Sequence, residues 1–403
     1  MRVLALGGAG AMGAAAVETA TRMLGVERIV IADRDGAAAA AAARRYCDAR
    51  VPVSALTVDV THGPALRDAL SQVDLVLNTV GPYYRFGRVV LRAAIDTGTH
   101  YLDICDDWEP TLDMLDLDEQ ARVAGVCAVV GMGASPGVSN LLAALAADGL
   151  DTVIDAYTAW PVDVPDKGGE NALSSDGRPS AAAVHWMQQS SGTIAAVAAG
   201  RLTKQRPLRP VALELPGGRR GTAYTVGHPE PITLQRSLEP VGDAANLMVV
   251  TPWTLGYLEV LRRDIDAGLL TEETAAALLE QPTLGRLARS LPKAVRAQGP
   301  GSLPPFFAAV SGWRAGRECR VLAHLDRSGA TGAAIRRLFD DMARATGIPL
   351  ALGMSQVIEG CARRPGVHPP EAVIDAGRFF RELGRELGVA GSPVIIEREP
   401  VVQ

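Results

Sequence analysis

A short apolar run, Val3-Leu4-Ala5-Leu6, stops at Gly7, and from Ala11 onward Ala14, Val17 and Thr21 recur on one face at helical spacing. The same alternation then repeats. Residues 28–32 read as a strand ending at Asp33, 37–46 as a helix, 53–60 as a strand, 64–70 as a helix and 74–78 as a strand. A helix over about 88–97, a strand at 100–103, a helix near 112–124 and a strand at 126–130 complete the series. Six strands with helices between them predict right-handed βαβ units in a doubly wound parallel sheet, whereas a barrel needs eight such units.

Beyond Leu150 the pattern changes. Residues 152–159, 211–215 and 222–226 are strand-like, 180–199, 257–279 and 332–345 are helical, and 164–178 form a Gly- and charge-rich stretch read as a surface loop or a lid. The expected architecture is α/β: a Rossmann domain over 1–133, a mixed α+β substrate-binding and dimerisation domain over 134–345, and C-terminal helices over 346–403. There is no internal repeat.

The turn after the first strand is Gly8-Ala9-Gly10-Ala11-Met12-Gly13, a G-x-G-x-x-G in the strand–turn–helix setting that gives this motif its meaning. Gly8 suits a tight turn, Gly10 lets the backbone approach a pyrophosphate, and Gly13 lets the helix pack on the strand. Phosphates then sit at the helix N-terminus, where Ala11 and Met12 offer amides and the dipole favours negative charge. Asp33 follows Gly13 by 20 residues at the end of the second strand, placed to hold the ribose hydroxyls of NAD. Arg34 beside it can pair with the 2′-phosphate of NADP or stack on adenine, and Asp33 can instead cap the next helix. NAD and NADP both remain open at this stage.

Composition removes other classes. The chain has 403 residues, 48% hydrophobic and 21% charged, with a net charge of -5 and only 4% aromatic residues, so it has no basic, base-stacking surface for nucleic acid. No apolar stretch approaches the length of a spanning helix, and glycines interrupt the N-terminal segment too early for a signal peptide, so no membrane partner and a cytoplasmic location are expected. Five scattered cysteines without C-x-x-C read as reduced thiols, and six histidines never fall at H-x-x-x-H spacing, so no metal site is expected. The only lysines are Lys167, Lys204 and Lys293, and no tyrosine is followed by lysine four residues on, against a short-chain dehydrogenase.

Other segments carry candidate chemistry. Asn78, Gly81 and Pro82 close a central strand at the crevice expected to hold nicotinamide, and Tyr83 and Tyr84 offer a hydroxyl and a flat face. Tyr101 and Asp103 end the next strand, followed by Cys105 among Asp106, Asp107 and Glu109, acids that would raise a thiol's pKa. Ser135-Pro136-Gly137 opens a helix running to about Ala147, with Pro136 in its first turn. His228 and Glu230 stand between prolines in a short rigid connection.

Taken in order, Gly7 to Gly13, Asn78 to Tyr84, His100 to Asp103, Gly133-Ala134-Ser135-Pro136-Gly137-Val138-Ser139-Asn140, Gly227 to Pro231, Thr346-Gly347-Ile348-Pro349 and Gly366 to Glu371 resemble the saccharopine dehydrogenase family along nearly the whole chain. The branch is that of glutamate-forming saccharopine reductases and carboxynorspermidine dehydrogenases. The resemblance implies a segment around Ser135, Gly137 and Asn140 that contacts cofactor or substrate, His228 and Glu230 shaping a substrate pocket, C-terminal helices returning to the first domain, and a homodimer through the second.

The expected function is an NAD(P)-dependent oxidoreductase that moves hydride to or from a carbon–nitrogen bond formed from an amine or amino acid and a carbonyl compound. Tyr83, Asp103 and His228 are the catalytic candidates. Tyr84, Arg85, Ser135, Asn140, Glu230 and Arg236 are the substrate candidates, the two arginines as forks for carboxylates. The cofactor set is Gly8, Gly10, Ala11, Met12, Gly13, Asp33, Arg34, Asn78, Gly81, Pro82 and Gly137. Two alternatives stand: a nucleotide-binding relative without catalysis, and an oxidoreductase of hydroxyl or aldehyde groups.

Overall fold

The computed structural model describes residues 1–162 and 181–401. The stretch expected to form a loop or lid, 164–178, lies outside the described residues. The chain divides into two compact units, 1–141 with 326–393 and 142–325 with 394–403.

The first unit opens with β1 (Arg2–Leu6), α1 (Ala11–Ala20), β2 (Arg28–Asp33), α2 (Gly36–Arg44), β3 (Val53–Thr57), α3 (Gly63–Ser71) and β4 (Leu75–Asn78). It continues through α4 (Tyr83–Thr97), β5 (His100–Asp103), α5 (Trp108–Leu115), α6 (Asp118–Val123) and β6 (Cys127–Val129); α7 (Val138–Ala147) runs across the division at residue 141. Central strands are apolar on both faces: Val3–Leu6, Ile29–Ala32 and Leu75–Asn78 are all buried, as a parallel sheet sandwiched by helices requires. The expected doubly wound parallel sheet is present. In place of the single helix expected over 112–124, α5 and α6 break at Asp116, and α4 begins at Tyr83 rather than near Arg88. Pro136 precedes α7 by two residues instead of sitting in its first turn.

The second unit contains β7 (Thr152–Pro161), α8 (Ala181–Gln189), β8 (Ile194–Ala198), β9 (Arg201–Gln205), β10 (Pro210–Leu215), β11 (Arg219–Thr225), α9 (Glu230–Ser237) and β12 (Ala244–Val249). It goes on with α10 (Pro252–Asp266), α11 (Glu272–Glu280), α12 (Leu284–Arg296), β13 (Phe307–Arg314) and β14 (Arg317–Leu325). The helix expected over 180–199 ends at Gln189, and the Ala- and Val-rich remainder pairs as β8 with β9. Alanine runs do not choose between helix and strand locally; the partner strand decides.

The chain closes with α13 (Gly329–Phe339), α14 (Met342–Glu359), β15 (Gly366–His368), α15 (Pro370–Val373), α16 (Ala376–Glu386) and β16 (Val394–Pro400). The first sheet has seven strands in the order β15-β6-β5-β4-β1-β2-β3, so a seventh parallel strand arrives from late in the chain. The second has the path β10-β11-β12-β7-β13-β14-β16 with β8 and β9 off it. β16 therefore pairs with β14 in the second unit and separates from the helices that precede it. This second sheet curls on itself. Arg219 bonds Glu397 at 2.8 Å and Arg320 bonds Glu214 at 3.3 Å, tying the β10–β11 hairpin to β14 and β16. Inside the curl Leu213, Leu247, Phe307 and Leu322 form a core drawn from the strands themselves.

Candidate active site

Parallel register sets the site of the first unit. Leu6 pairs with Ala32 and with Asn78, Asn78 pairs with Asp103, and Leu102 pairs with Val129, so the carboxyl ends of five strands share one edge. Ligands of doubly wound sheets bind outside that edge. It carries the glycine turn, Asp33, Asn78, Asp103 and the loop after β6.

The glycine turn is built as its spacing implies, with one shift of role. The left-handed residue is Gly7, at φ +78, just ahead of the motif. Gly8 is held to glycine by packing, since a Cβ there would stand 2.8 Å from the Ala5 carbonyl oxygen. At Gly13 a Cβ would meet Gly7 O at 2.5 Å and Gly8 Cα at 2.7 Å, so this glycine brings α1 onto the turn. Gly10 differs: it is exposed, and an added Cβ would touch only Gly7 O, at 3.3 Å. Protein packing does not require glycine there, whereas a ligand lying against the backbone does. Gly10 is also the N-cap of α1, and no side chain caps that end. The first-turn amides of Ala11, Met12 and Gly13 are thus left to a ligand, and the turn fits a dinucleotide pyrophosphate.

At the end of β2, Asp33 is half-buried and its Oδ1 accepts the Asp35 N–H at 3.1 Å. The cap of α2 is Asp35, which accepts from Ala37 and Ala38, so Asp33 does not have the capping role. Arg34 is exposed beside it.

A buried polar cluster ties the next strands together. The Asn78 side-chain amide donates to Tyr101 OH at 3.0 Å, which donates to Asp103 Oδ2 at 2.7 Å. Asp103 Oδ1 accepts the backbone N–H groups of Gly131, at 2.7 Å, and Cys105, at 3.1 Å. Tyr83 OH donates to Asn78 O at 2.8 Å from the first turn of α4. Asp103 is fully buried, and this desolvation outweighs the three donors and pushes its carboxyl up to about 6. Burial first and the neighbouring Asp103 second hold Tyr83 and Tyr101 well above the ordinary phenol range. Burial, then Asp103, does the same to the Cys105 thiol.

The loop after β6 is tightly built. Gly137 has φ +117, and a Cβ on it would stand 2.1 Å from Gly133 O. The Asn140 side chain accepts the Gly137 N–H at 3.0 Å and donates to Glu371 Oε2 at 2.9 Å. Asn140 is therefore buried and engaged, while Ser135 is half-buried. Glu371, of α15, lies outside the expected site residues; its place in the sequence, next to a strand with only three residues, gives no periodic signal. Thr79 is also outside that set, yet it donates to Leu6 O at 3.1 Å and its Oγ1 lies where Cβ atoms on Gly7 and Gly13 would fall, each at 2.8 Å.

Gly81, Pro82, Tyr84 and Arg85 are exposed at the start of α4, with the Arg85 guanidinium 5.0 Å from the Phe86 ring centroid. In the second unit, His228 and Glu230 are brought together where β11 leads into α9, with His228 Nδ1 3.3 Å from Glu230 Oε2. Trp160 stands 5.5 Å from the His228 ring, and its indole N–H donates to Asn246 Oδ1 at 2.8 Å. Asn246 in turn donates to Thr158 at 2.9 Å, completing a polar network inside the second unit. Arg236 is exposed in the last turn of α9. Among the described residues no helix is long and apolar enough to cross a membrane.

Comparison with known proteins agrees with the turn and the sheet. Residues 3–129 match the family model described as the saccharopine dehydrogenase NADP binding domain. Saccharopine dehydrogenase-like oxidoreductases of Mus musculus and Rattus norvegicus are 38% and 36% identical to the chain over 55 residues. Those stretches span 14% of this chain and 13% of either relative. Apo saccharopine dehydrogenase (L-Glu forming) from Saccharomyces cerevisiae is similar over 100% of both chains at a TM-score of 0.61 and 17% identity, so the fold is shared. The chain thus carries a nucleotide-binding domain that matches the saccharopine dehydrogenase model over residues 3–129, on a fold shared with the yeast enzyme.

Proposed function

We propose that the protein is an NADP-dependent oxidoreductase acting at carbon–nitrogen bonds, in which hydride passes to the carbon of an imine formed from an amine or amino acid and a carbonyl compound, and a proton reaches the nitrogen to give a secondary amine. The observation that carries this reading is the uncapped glycine turn at the carboxyl edge of a sheet that matches the family's NADP-binding domain. The nicotinamide cofactor, when bound, supplies or accepts the hydride. The chain's own residues hold the pyrophosphate on the amides of Ala11, Met12 and Gly13, with Arg34 offered to a 2′-phosphate and Gly81, Pro82, Asn78 and Gly137 along the nicotinamide side.

A protonated imine is already electrophilic, so positioning can carry much of the rate enhancement. In the buried cluster Asp103, at about 6, is the group able to hold or release a proton near neutral pH. Tyr101 stays neutral and orients the Asp103 carboxylate through its hydroxyl, while neutral Tyr83 donates to Asn78 O at the end of β4. His228 beside Glu230 is the proposed group of the second unit, with Tyr84, Arg85, Ser135, Asn140 and Arg236 as substrate contacts. A thiol mechanism on aldehydes is disfavoured because burial holds Cys105 protonated. A homodimer through the second unit is part of the same proposal.

The test is oxidation of NADPH and NADH, followed at 340 nm, with lysine-type amines and polyamines paired with oxo acids and aldehydes. Turnover that needs both an amine and a carbonyl supports the proposal. Turnover with a carbonyl alone would replace it with the hydroxyl or aldehyde reading, and tight NADPH binding without turnover across the panel would favour the non-catalytic one.

A further inference from the structure

We infer that Gly347, near the start of α14 and remote in sequence from the glycine turn, is a positioning residue for the pyrophosphate of the bound dinucleotide. The inference rests on the nucleotide-binding reading and adds to it a residue outside the matched domain. α14 is buried along most of its length and packs directly on α1, the helix whose first turn holds the phosphate-binding amides.

The close approach depends on one missing side chain. A Cβ built on Gly347 would stand 2.5 Å from Met12 O, 2.7 Å from Ala15 Cβ and 2.8 Å from Ala16 N. Two of these three are backbone atoms of α1 and the third is an alanine methyl, so no flexible side-chain end can swing aside. The Met12 contact falls about 0.9 Å short of the 3.4 Å at which ordinary contact begins. Met12 belongs to the first turn, so the displacement moves the amides of Ala11, Met12 and Gly13 themselves.

The neighbouring residue makes the same turn of α14 a shared support. Thr346 Cγ2 lies 3.1 Å from where a Cβ on Gly133 would fall, at the base of the loop that Asn140 and Glu371 hold. One turn of a buried helix thus sets the height of the glycine turn and abuts the loop after β6. Losing one hydrogen bond to a charged phosphate costs about tenfold or more in affinity, and a loss of that size is expected here.

The experiment titrates purified full-length protein with NADPH by fluorescence and records Tm in parallel, for wild type, Gly347→Ala and Gly384→Ala. The control adds a Cβ that would stand 2.0 Å from Gly391 O, on α16 in the same unit, so it strains the fold without touching α1. Gly347→Ala is expected to raise the NADPH Kd about tenfold or more, while Gly384→Ala lowers Tm and keeps the wild-type Kd. An unchanged Kd in folded Gly347→Ala, or equal weakening in both variants, overturns the inference. Should Gly347→Ala fail to fold, Ala15→Gly, which loosens the same contact without a clash, is expected to raise Kd severalfold, and an unchanged Kd there overturns it. Absence of NADPH binding by the wild type would overturn the nucleotide-binding reading instead.

Discussion

Replacing Asp103 by Asn tests whether the buried cluster carries an ionisable group tuned by burial. The folded protein holds this carboxyl at about 6 against an ordinary 3.8, so it binds the proton more tightly than the unfolded chain does. Between those two values the folded state carries more protons, and stability falls as pH rises through that window; above it both states are ionised and the loss is constant. Each tenfold in proton affinity is about 1.4 kcal/mol, so the whole shift is worth about 3 kcal/mol, of which about 2 kcal/mol is lost between pH 4 and pH 6.5. The substituted amide does not titrate. Its oxygen can keep the Gly131 and Cys105 N–H groups, while its NH2 faces a Tyr101 hydroxyl that already accepts from Asn78. The assay is urea unfolding of both proteins at pH steps from 4 to 8. The stability difference between wild type and Asp103→Asn should change by about 2 kcal/mol between pH 4 and pH 6.5 and level off above it. A difference that stays flat over the whole range would refute the argument that desolvation outweighs the three donors.

Three further outcomes follow from the geometry. Gly10→Ala should leave Tm within about 1 °C of wild type and weaken NADPH binding at least tenfold by fluorescence titration, whereas Gly13→Ala, whose Cβ would strike Gly7 O and Gly8 Cα, should weaken binding and lower stability by about 2 kcal/mol or more in urea. Arg34→Gln should raise the KM for NADPH about tenfold and leave that for NADH within twofold, measured side by side at 340 nm; equal effects on both would remove Arg34 from the 2′-phosphate site. With a chromogenic disulfide, Cys47 and Cys361, both exposed, should react within minutes, and buried Cys105, Cys127 and Cys319 only on denaturation; rapid reaction at Cys105 would contradict its burial.

The legible part of the fold is the part whose information is local. The strand, glycine turn and helix at the N-terminus follow from consecutive residues, and the repeated apolar runs of β1, β2 and β4 are long enough to announce a sheet buried on both faces. The glycine spacing carries the site with it, because a turn that must approach a phosphate limits its own residues. Asn78 and Asp103 are also visible, as polar residues at the ends of apolar strands, and Tyr83 as the aromatic that follows the Gly81-Pro82 turn after one of them.

What tertiary structure alone decided is where distant segments meet. β15 is three residues long and joins the first sheet because β6 offers it a parallel edge, and β16 leaves its neighbouring helices to pair with β14. The alanine-rich stretch after Gln189 becomes a strand because β9 lies beside it. The state of Asp103 belongs to the same class. Sequence shows a carboxylate in an acidic run, but only the burial of its side chain among Tyr101, Gly131 and Cys105 pushes its proton affinity up. Glu371 and Gly347 stand in segments the sequence singles out by resemblance, but their contacts with Asn140 and Met12 exist only in the fold, and no local pattern encodes a contact across most of the chain.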